Sequence, residues 1–189
     1  HLVGSNETAL GLYRISATRR LEQFALAHTP PGALMRKAGE SAAQLAKALA
    51  PNARHFCVLC GPGNNGGDGL IAAAALQRQA NSCGWRVSVL MPLGGANHGE
   101  AAHAMAAAKA TGINWVTHWP EDVDLAIDAL LGIGARTVLP ERLAPLLSAL
   151  HQSATVLAID GPSGLNLDTG EWQGPPLPSG DTQRHTLAL

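Results

Sequence analysis

The sequence predicts an α/β fold in which short buried strands alternate with helices around a parallel sheet. Three observations carry that prediction. Beyond His55, short apolar runs alternate with alanine- and leucine-rich stretches of helical length, the order expected of βαβ units. The run His55-Phe56-Cys57-Val58-Leu59-Cys60 is short and apolar, which suits a strand covered on both faces. Glycine turns stand directly after several of the apolar runs, at Gly61, Gly132 and Gly161, where a chain leaving a sheet edge must change direction.

Taken in order, the N-terminal region offers two helices, Thr18 to Ala27 and Gly32 to Ala50. In the second, Leu34, Met35, Ala38, Ala42, Leu45 and Leu49 recur at helical spacing. Pro30 and Pro31 separate the two, and Pro51 ends the second. The strand His55 to Cys60 comes next, closed by Gly61-Pro62-Gly63, and an alanine-rich helix is expected from Asp68 to Asn81. Arg86 to Met91 reads as a strand, Asn97 to Ala110 as a helix, and Asn114 to His118 as a short strand. Asp124 to Leu130 reads as a strand, Glu141 to Gln152 as a helix, and Thr155 to Asp160 as a strand. An irregular loop, Gly174 to Gly180, precedes a last strand that starts at His185.

With 189 residues, 46% of them hydrophobic, the chain can bury the core of one domain without disulfides or metals. Its charged fraction is 14% and its net charge −1, so bulk attraction to nucleic acid or to an anionic membrane is disfavoured. An anionic ligand must be gripped locally. Three cysteines, an odd number, argue against a disulfide scaffold. Cys57 and Cys60 fall inside one strand, on opposite faces, and read as buried apolar residues rather than a redox pair. No apolar run reaches the roughly 18 residues that span a bilayer, and no signal-like N-terminus is present. A soluble, cytoplasmic domain is expected. The chain begins with His1 and ends at Leu189 on an apolar strand, which reads as a single domain truncated at its C-terminal end.

Three strand ends carry candidate chemistry. The first, Gly61-Pro62-Gly63-Asn64-Asn65-Gly66-Gly67-Asp68-Gly69, contains G-x-G-x-x-G between a strand and a helix. There glycines let backbone amides approach a phosphate and the helix start favours negative charge. No Gly-Lys-Ser/Thr follows, which excludes a P-loop. No acidic residue stands between Asp68 and Glu100, so the ribose-binding carboxylate of an ordinary coenzyme cradle, expected about 20 residues on, is missing. Asn64, Asn65 and Asp68 instead add side-chain donors and acceptors suited to a ligand or cation at close range. A plain glycine–asparagine turn is the bland reading of the same residues.

The second cluster is Asp128-Ala129-Leu130-Leu131-Gly132-Ile133-Gly134. Asp128 interrupts an apolar strand, and a buried carboxylate needs a hydrogen-bonded partner or a cation. Arg136 and Thr137 stand where they can reach a phosphate or ribose. The third, Asp160-Gly161-Pro162-Ser163-Gly164, continues as Leu165-Asn166-Leu167-Asp168-Thr169-Gly170 and puts a carboxylate at a strand tip, a placement suited to acid–base chemistry. A parallel sheet brings all three clusters to one edge. The eight histidines lack zinc-ligand spacing, and Ser163 lacks a nucleophile elbow and reads as a ligand-binding residue. Trp172 is expected to pack at a boundary or to flank the site.

Gly63-Asn64-Asn65-Gly66-Gly67-Asp68-Gly69, Asp128 to Gly134, and Asp160-Gly161-Pro162-Ser163-Gly164-Leu165 together resemble the NAD(P)H-hydrate epimerase family, the YjeF N-terminal domain. Leu34-Met35-Arg36-Lys37-Ala38-Gly39 resembles the family's N-terminal helix motif, so the resemblance covers nearly the whole chain. It implies a three-layer αβα, Rossmann-like fold with a mostly parallel sheet, a homodimer, and epimerisation of the R and S forms of hydrated NADH and NADPH (NADHX and NADPHX). By matching positions it implies that Asn64, Asn65, Gly66, Gly67 and Asp68, with Gly132, Ile133, Gly134, Ala135, Arg136, Thr137 and Val138, bind the nucleotide. Asp160 would contact the substrate and act in catalysis. Asn65, Asp128 and Ser163 would help hold one potassium ion per subunit, and oxygen ligands suit a hard cation. The domain is often fused to, or works with, an ADP- or ATP-dependent dehydratase. The chain departs from the family pattern at Gly161, where an apolar residue is usual, and at Leu70, where tyrosine is.

The main alternative is a noncatalytic nucleotide-binding or scaffold domain of the same fold. Asp160, Asp128 and Asn65 are all present, which favours an enzyme. A nicotinamide dehydrogenase would need the missing ribose carboxylate.

Overall fold

The computed structural model of the chain describes residues 15–133, 140–177 and 182–187. Two helices, α1 (Ile15–Ala27) and α2 (Ala33–Leu49), lead into β1 (His55–Cys60), α3 (Asn64–Cys83), β2 (Arg86–Leu90), α4 (Gly99–Lys109) and β3 (Asn114–Val116). Then come β4 (Leu125–Ala129), a 3-10 turn (Glu141–Leu143) running into α5 (Ala144–His151), β5 (Thr155–Ile159) and β6 (Gln183–Leu187). The strands make one 6-stranded sheet in the order β3-β2-β1-β4-β5-β6, and every neighbouring pair is parallel.

Two buried clusters define three layers. Phe56, Val58 and Cys60 of β1, with Val87, Val89, Ile127 and Leu157, pack under α2, α3 and α4. Leu59, Leu90, Ala126 and Val156 point the other way, against Leu143, Leu147 and Leu150 of the 3-10 turn and α5. Each of β1, β4 and β5 is buried along its whole length, as strands covered on both faces should be. Cys57 and Cys60 are free, buried thiols, and burial pushes the Cys57 thiol up to about 12, which leaves no thiolate for redox chemistry.

From β1 the chain runs through α3 to β2, and from β4 it runs through α5 to β5, which lies on the other side. The topological switch point therefore falls between β1 and β4, where open α/β sheets take their ligands.

Two elements differ from the expectation. α3 begins at Asn64 rather than Asp68, so the glycine run is the first turn of a helix and not a loop before it. Its glycines serve close approach: a Cβ on Gly66 would collide with the carbonyl oxygen of Gly61, and one on Gly69 would meet Ala129 Cβ at 2.5 Å. Low helix propensity conceals the turn, and tertiary contact overrides it. β6 begins at Gln183 and reads exposed or half-buried throughout. An edge strand has less to cover, so its polar start gives no apolar signal. Ala188 and Leu189 lie outside the described residues.

Candidate functional site

The loops after β1, β4 and β5 meet at the switch point. Gly132 stands at the junction, where a Cβ would come within 2.7 Å of Asp160 Oδ2 and 3.0 Å of Asn65 Cβ. Only a glycine lets the three segments approach this closely.

Asp128, fully buried in β4, is the anchor. Its Oδ1 accepts the Ser163 hydroxyl at 2.6 Å and the Leu130 N–H at 3.2 Å, and its Oδ2 accepts the Ser163 N–H at 2.7 Å. The Ser163 hydroxyl in turn accepts the Leu131 N–H at 3.0 Å. Burial raises the Asp128 carboxyl above its ordinary range, and the hydrogen bonds from Ser163 and Leu130 work against that rise. These bonds tie the β4 loop to the β5 loop.

Asn65, in the first turn of α3, donates Nδ2–H to the Leu131 carbonyl at 2.9 Å. Its Oδ1 is buried and lacks a hydrogen-bond donor among the described residues. A buried acceptor left in that state is costly and offers an oxygen ligand at the same junction as Asp128 and Ser163.

Asp160 follows β5 at φ +70°. The Gly161 N–H bonds back to the Ile159 carbonyl at 2.8 Å, which closes a γ-turn with Asp160 at its apex, a rare and strained conformation. Asp160 N–H is held by the Leu187 carbonyl of β6 at 2.8 Å, and Oδ2 accepts the Ile133 N–H at 2.6 Å. Leu167 fills the space beside Gly161, with its methyl carbons 2.8 Å from where a Cβ would sit. That packing offsets the missing apolar side chain at this position.

Asp68 lies one helical turn beyond Asn64 on α3. Burial, then the charge of Asp160, then Glu22 and Glu100, push its carboxyl up to about 8. It therefore carries a proton at neutral pH beside a second carboxylate, an arrangement that suits acid–base chemistry.

A cavity of about 380 Å³ opens beside this junction, between the β4 loop, the segment from Gly161 to Gln173 and the helix α1. Ile15 and Arg19 of α1 line it together with Gly132, Gly161 and Asn166. Glu22, one turn further along α1, is raised above its ordinary range by burial and then by the charge of Asp160, while Arg19 pulls the other way.

Of the residues singled out in the sequence, Asn64, Asn65, Gly66, Gly67, Asp68, Asp128, Gly132, Ile133, Asp160 and Ser163 come to this edge. Gly134, Ala135, Arg136, Thr137 and Val138 lie outside the described residues. Arg86 opens β2 and Arg78 sits in the later turns of α3, so both are at the opposite edge of the sheet and cannot serve a ligand here. Trp172 packs edge-on against His151, with ring centroids 5.3 Å apart, and lies against Gly164 and Gly174 rather than in the cavity. The sequence placed this helix at Thr18 to Ala27 and α1 bears it out from Ile15, but sequence reasoning gave it no part in the site. Its only signal is that Ile15, Arg19 and Glu22 recur at helical spacing on one stripe. Among the described residues no group of three or more His, Cys, Asp or Glu is arranged to hold a metal, and no helix is long and apolar enough to cross a membrane.

The family described as YjeF-related protein N-terminus matches residues 31–182. The chain is 40% identical over 147 residues to the bifunctional NAD(P)H-hydrate repair enzyme Nnr of Escherichia coli (strain K12), with 75% of the chain and 28% of that protein covered. It is 38% identical over 172 residues to the bifunctional repair enzyme Nnr of Coxiella burnetii, with 86% of the chain and 34% of that protein covered. The chain thus spans about a third of the length of these bifunctional relatives. It is 36% identical over 173 residues to the NAD(P)H-hydrate epimerase of Bordetella pertussis, with 88% of the chain and 72% of that protein covered. The crystal structure of yeast ynu0 superposes with a TM-score of 0.71 at 20% identity, covering 82% of this chain and 72% of that one, which speaks to the fold.

Proposed function

The chain belongs to the YjeF-related protein N-terminus family, and from that premise we propose that it interconverts the R and S forms of hydrated NADH and NADPH. The observation that carries this reading is the convergence of Asn65, Asp128, Asp160 and Ser163 at the switch point, beside a cavity. The relatives named NAD(P)H-hydrate epimerase support the substrate class.

Epimerisation at a carbon bearing a hydroxyl next to the ring nitrogen needs a proton delivered as the hydroxyl leaves as water. It needs a proton removed as water re-adds from the other face. Asp160, at the apex of its γ-turn beside the cavity, contacts the reacting ring in this reading. Asp68, protonated at neutral pH, is the second carboxyl of the pair and supplies or takes back the proton. The first turn of α3, Asn64 to Asp68, and the segment from Gly132 to Val138 bind the nucleotide, since amides at a helix start have no intrahelical acceptor.

A potassium ion fits the residues at the junction. Among the described residues Asn65 Oδ1 is a buried acceptor without a donor, and Asp128 and Ser163 add oxygens at the same junction. Bound there, potassium would supply positive charge that neutralises the buried carboxylate and fixes the loops. A homodimer in the cytoplasm belongs to the same reading, and the exposed Leu21 and Phe24 of α1 are surface that a subunit contact would cover. The bifunctional names of relatives support a partnership with an ADP- or ATP-dependent dehydratase acting on the same substrate.

The test is a coupled assay in which an S-specific dehydratase receives an R/S mixture of NADHX, with and without the chain and potassium. Faster consumption of the R fraction is expected. No acceleration by the folded protein would overturn the reading in favour of a noncatalytic binding domain.

A further inference from the structure

The site as described is rich in carboxylates. Asp160 and Glu22 interact electrostatically, and Asp168 lines the cavity. A nucleotide with a pyrophosphate, or with a further phosphate on a ribose, must nevertheless settle among them. Backbone amides provide partial charge only, and repulsion from neighbouring carboxylates costs affinity unless a full positive charge offsets it.

Among the described residues lining the cavity, Arg19 alone carries a positive charge. Two contacts seat the helix that bears it at the cavity mouth: Ile15 N–H donates to Asp168 Oδ1 at 3.1 Å, and Arg19 Nη2–H donates to the Ile133 carbonyl at 3.4 Å. The second contact is long and engages one N–H of the fork. A guanidinium has five N–H donors in a planar fork matched to a phosphate, so the others remain for an oxyanion. Glu22, one turn along the same stripe, is near enough to sense the Arg19 charge. α1 buries none of its residues, so core packing does not explain why this stripe faces the site.

We infer that Arg19, carried to the cavity mouth by α1, grips a phosphate group of the nucleotide and belongs to the substrate-binding machinery, although it lies outside the 31–182 segment that the family matches. This rests on the nucleotide reading of the site but not on the epimerase chemistry. Two sources share the chemistry, the pyrophosphate and a 2′-phosphate.

The experiment titrates the chain, Arg19→Gln, Arg19→Lys and the control Arg20→Gln with ADP-ribose, 2′-phospho-ADP-ribose and phosphate-free adenosine, by calorimetry. Arg20 is exposed and does not line the cavity. Arg19→Gln should weaken 2′-phospho-ADP-ribose at least about tenfold, a usual loss for a charge-assisted contact, and leave adenosine unchanged. Arg19→Lys should recover part of the loss, and Arg20→Gln should stay within about twofold, as surface changes do. Equal losses for both phosphorylated probes assign the pyrophosphate; a loss confined to 2′-phospho-ADP-ribose assigns the 2′-phosphate. Unchanged affinity for both in Arg19→Gln, equal weakening of adenosine, or no binding by the unaltered chain overturns the inference. Epimerase activity with a fully competent Arg19→Gln would sink this inference alone. Loss of grip in an inactive chain would sink the epimerase reading alone.

Discussion

Ser163 binds Asp128 through both its backbone and its side chain, with the N–H 2.7 Å from Oδ2 and the hydroxyl 2.6 Å from Oδ1. One residue of the β5 loop thus satisfies most of a carboxylate buried in β4. Ser163→Ala keeps the N–H contact but strips Oδ1 of its short bond and leaves the Leu131 N–H without its acceptor. A loss of about 1–3 kcal/mol is expected, read as a lower urea midpoint at unchanged slope. An unchanged midpoint would show that the pair is dispensable.

Asp160→Asn retains a side chain tolerant of positive φ and should melt close to the unaltered chain. Its epimerisation rate should fall by about 10²–10⁴, the range of a lost acid–base group. Turnover near normal in the coupled assay would remove Asp160 from the chemistry.

Asp68 ties rate to pH. Its carboxyl is raised to about 8, so the rate should decline as pH rises through that value, and Asp68→Asn should lose the decline along with most of the activity. Stability has its own sign. The folded value lies above the ordinary 3.8, so the fold is disfavoured progressively as pH rises from there toward about 8. Asp68→Asn should therefore melt higher than the unaltered chain at pH 9; a lower melting temperature there would contradict the burial.

His151 works in the opposite sense. It is buried, and neither ring nitrogen has a partner among the described residues. Burial, then Arg184, lowers it from 6.5 to about 4. The unfolded chain takes up the proton first, so stability is full above 6.5 and is lost as pH falls toward 4. The loss at pH 5 should be about 2 kcal/mol. His151→Leu should flatten the acid limb of a melting-temperature profile, and an unaltered limb would rule out this residue as its source.

Potassium should raise the melting temperature, because an ion that binds only the folded chain stabilises it by about 2.7 kcal/mol at a hundredfold excess over its Kd. Asn65→Leu removes the buried oxygen that lacks a donor among the described residues and should abolish the rise. A response to potassium that survives in this variant would place the ion elsewhere.

The sheet was legible because its strands are buried on both faces: β1, β4 and β5 announce themselves as apolar runs ended by glycine. The polar clusters were legible for a related reason, since Asp128 stands out only against an apolar strand. Three things were hidden. The first turn of α3 is written in residues of poor helix propensity, because Gly66 and Gly69 are chosen for contact with neighbouring strands. β6, on the sheet edge, needs few apolar residues. Arg19 carries no local mark of its role, since only the docking of α1 on Asp168 and Ile133 turns an exposed arginine into part of a cavity wall.

The hydrogen bond from Asp160 N–H to the Leu187 carbonyl makes the last strand a participant in the site. Between β5 and β6 the described residues carry Asp160 and Ser163 and form no helix. Docking β6 therefore completes the reactive edge through its contact with Asp160. Amide hydrogens of Gln183–Leu187 should then exchange more slowly when the cavity is filled, so that occupancy at one end of the loop can be followed from the backbone at the other.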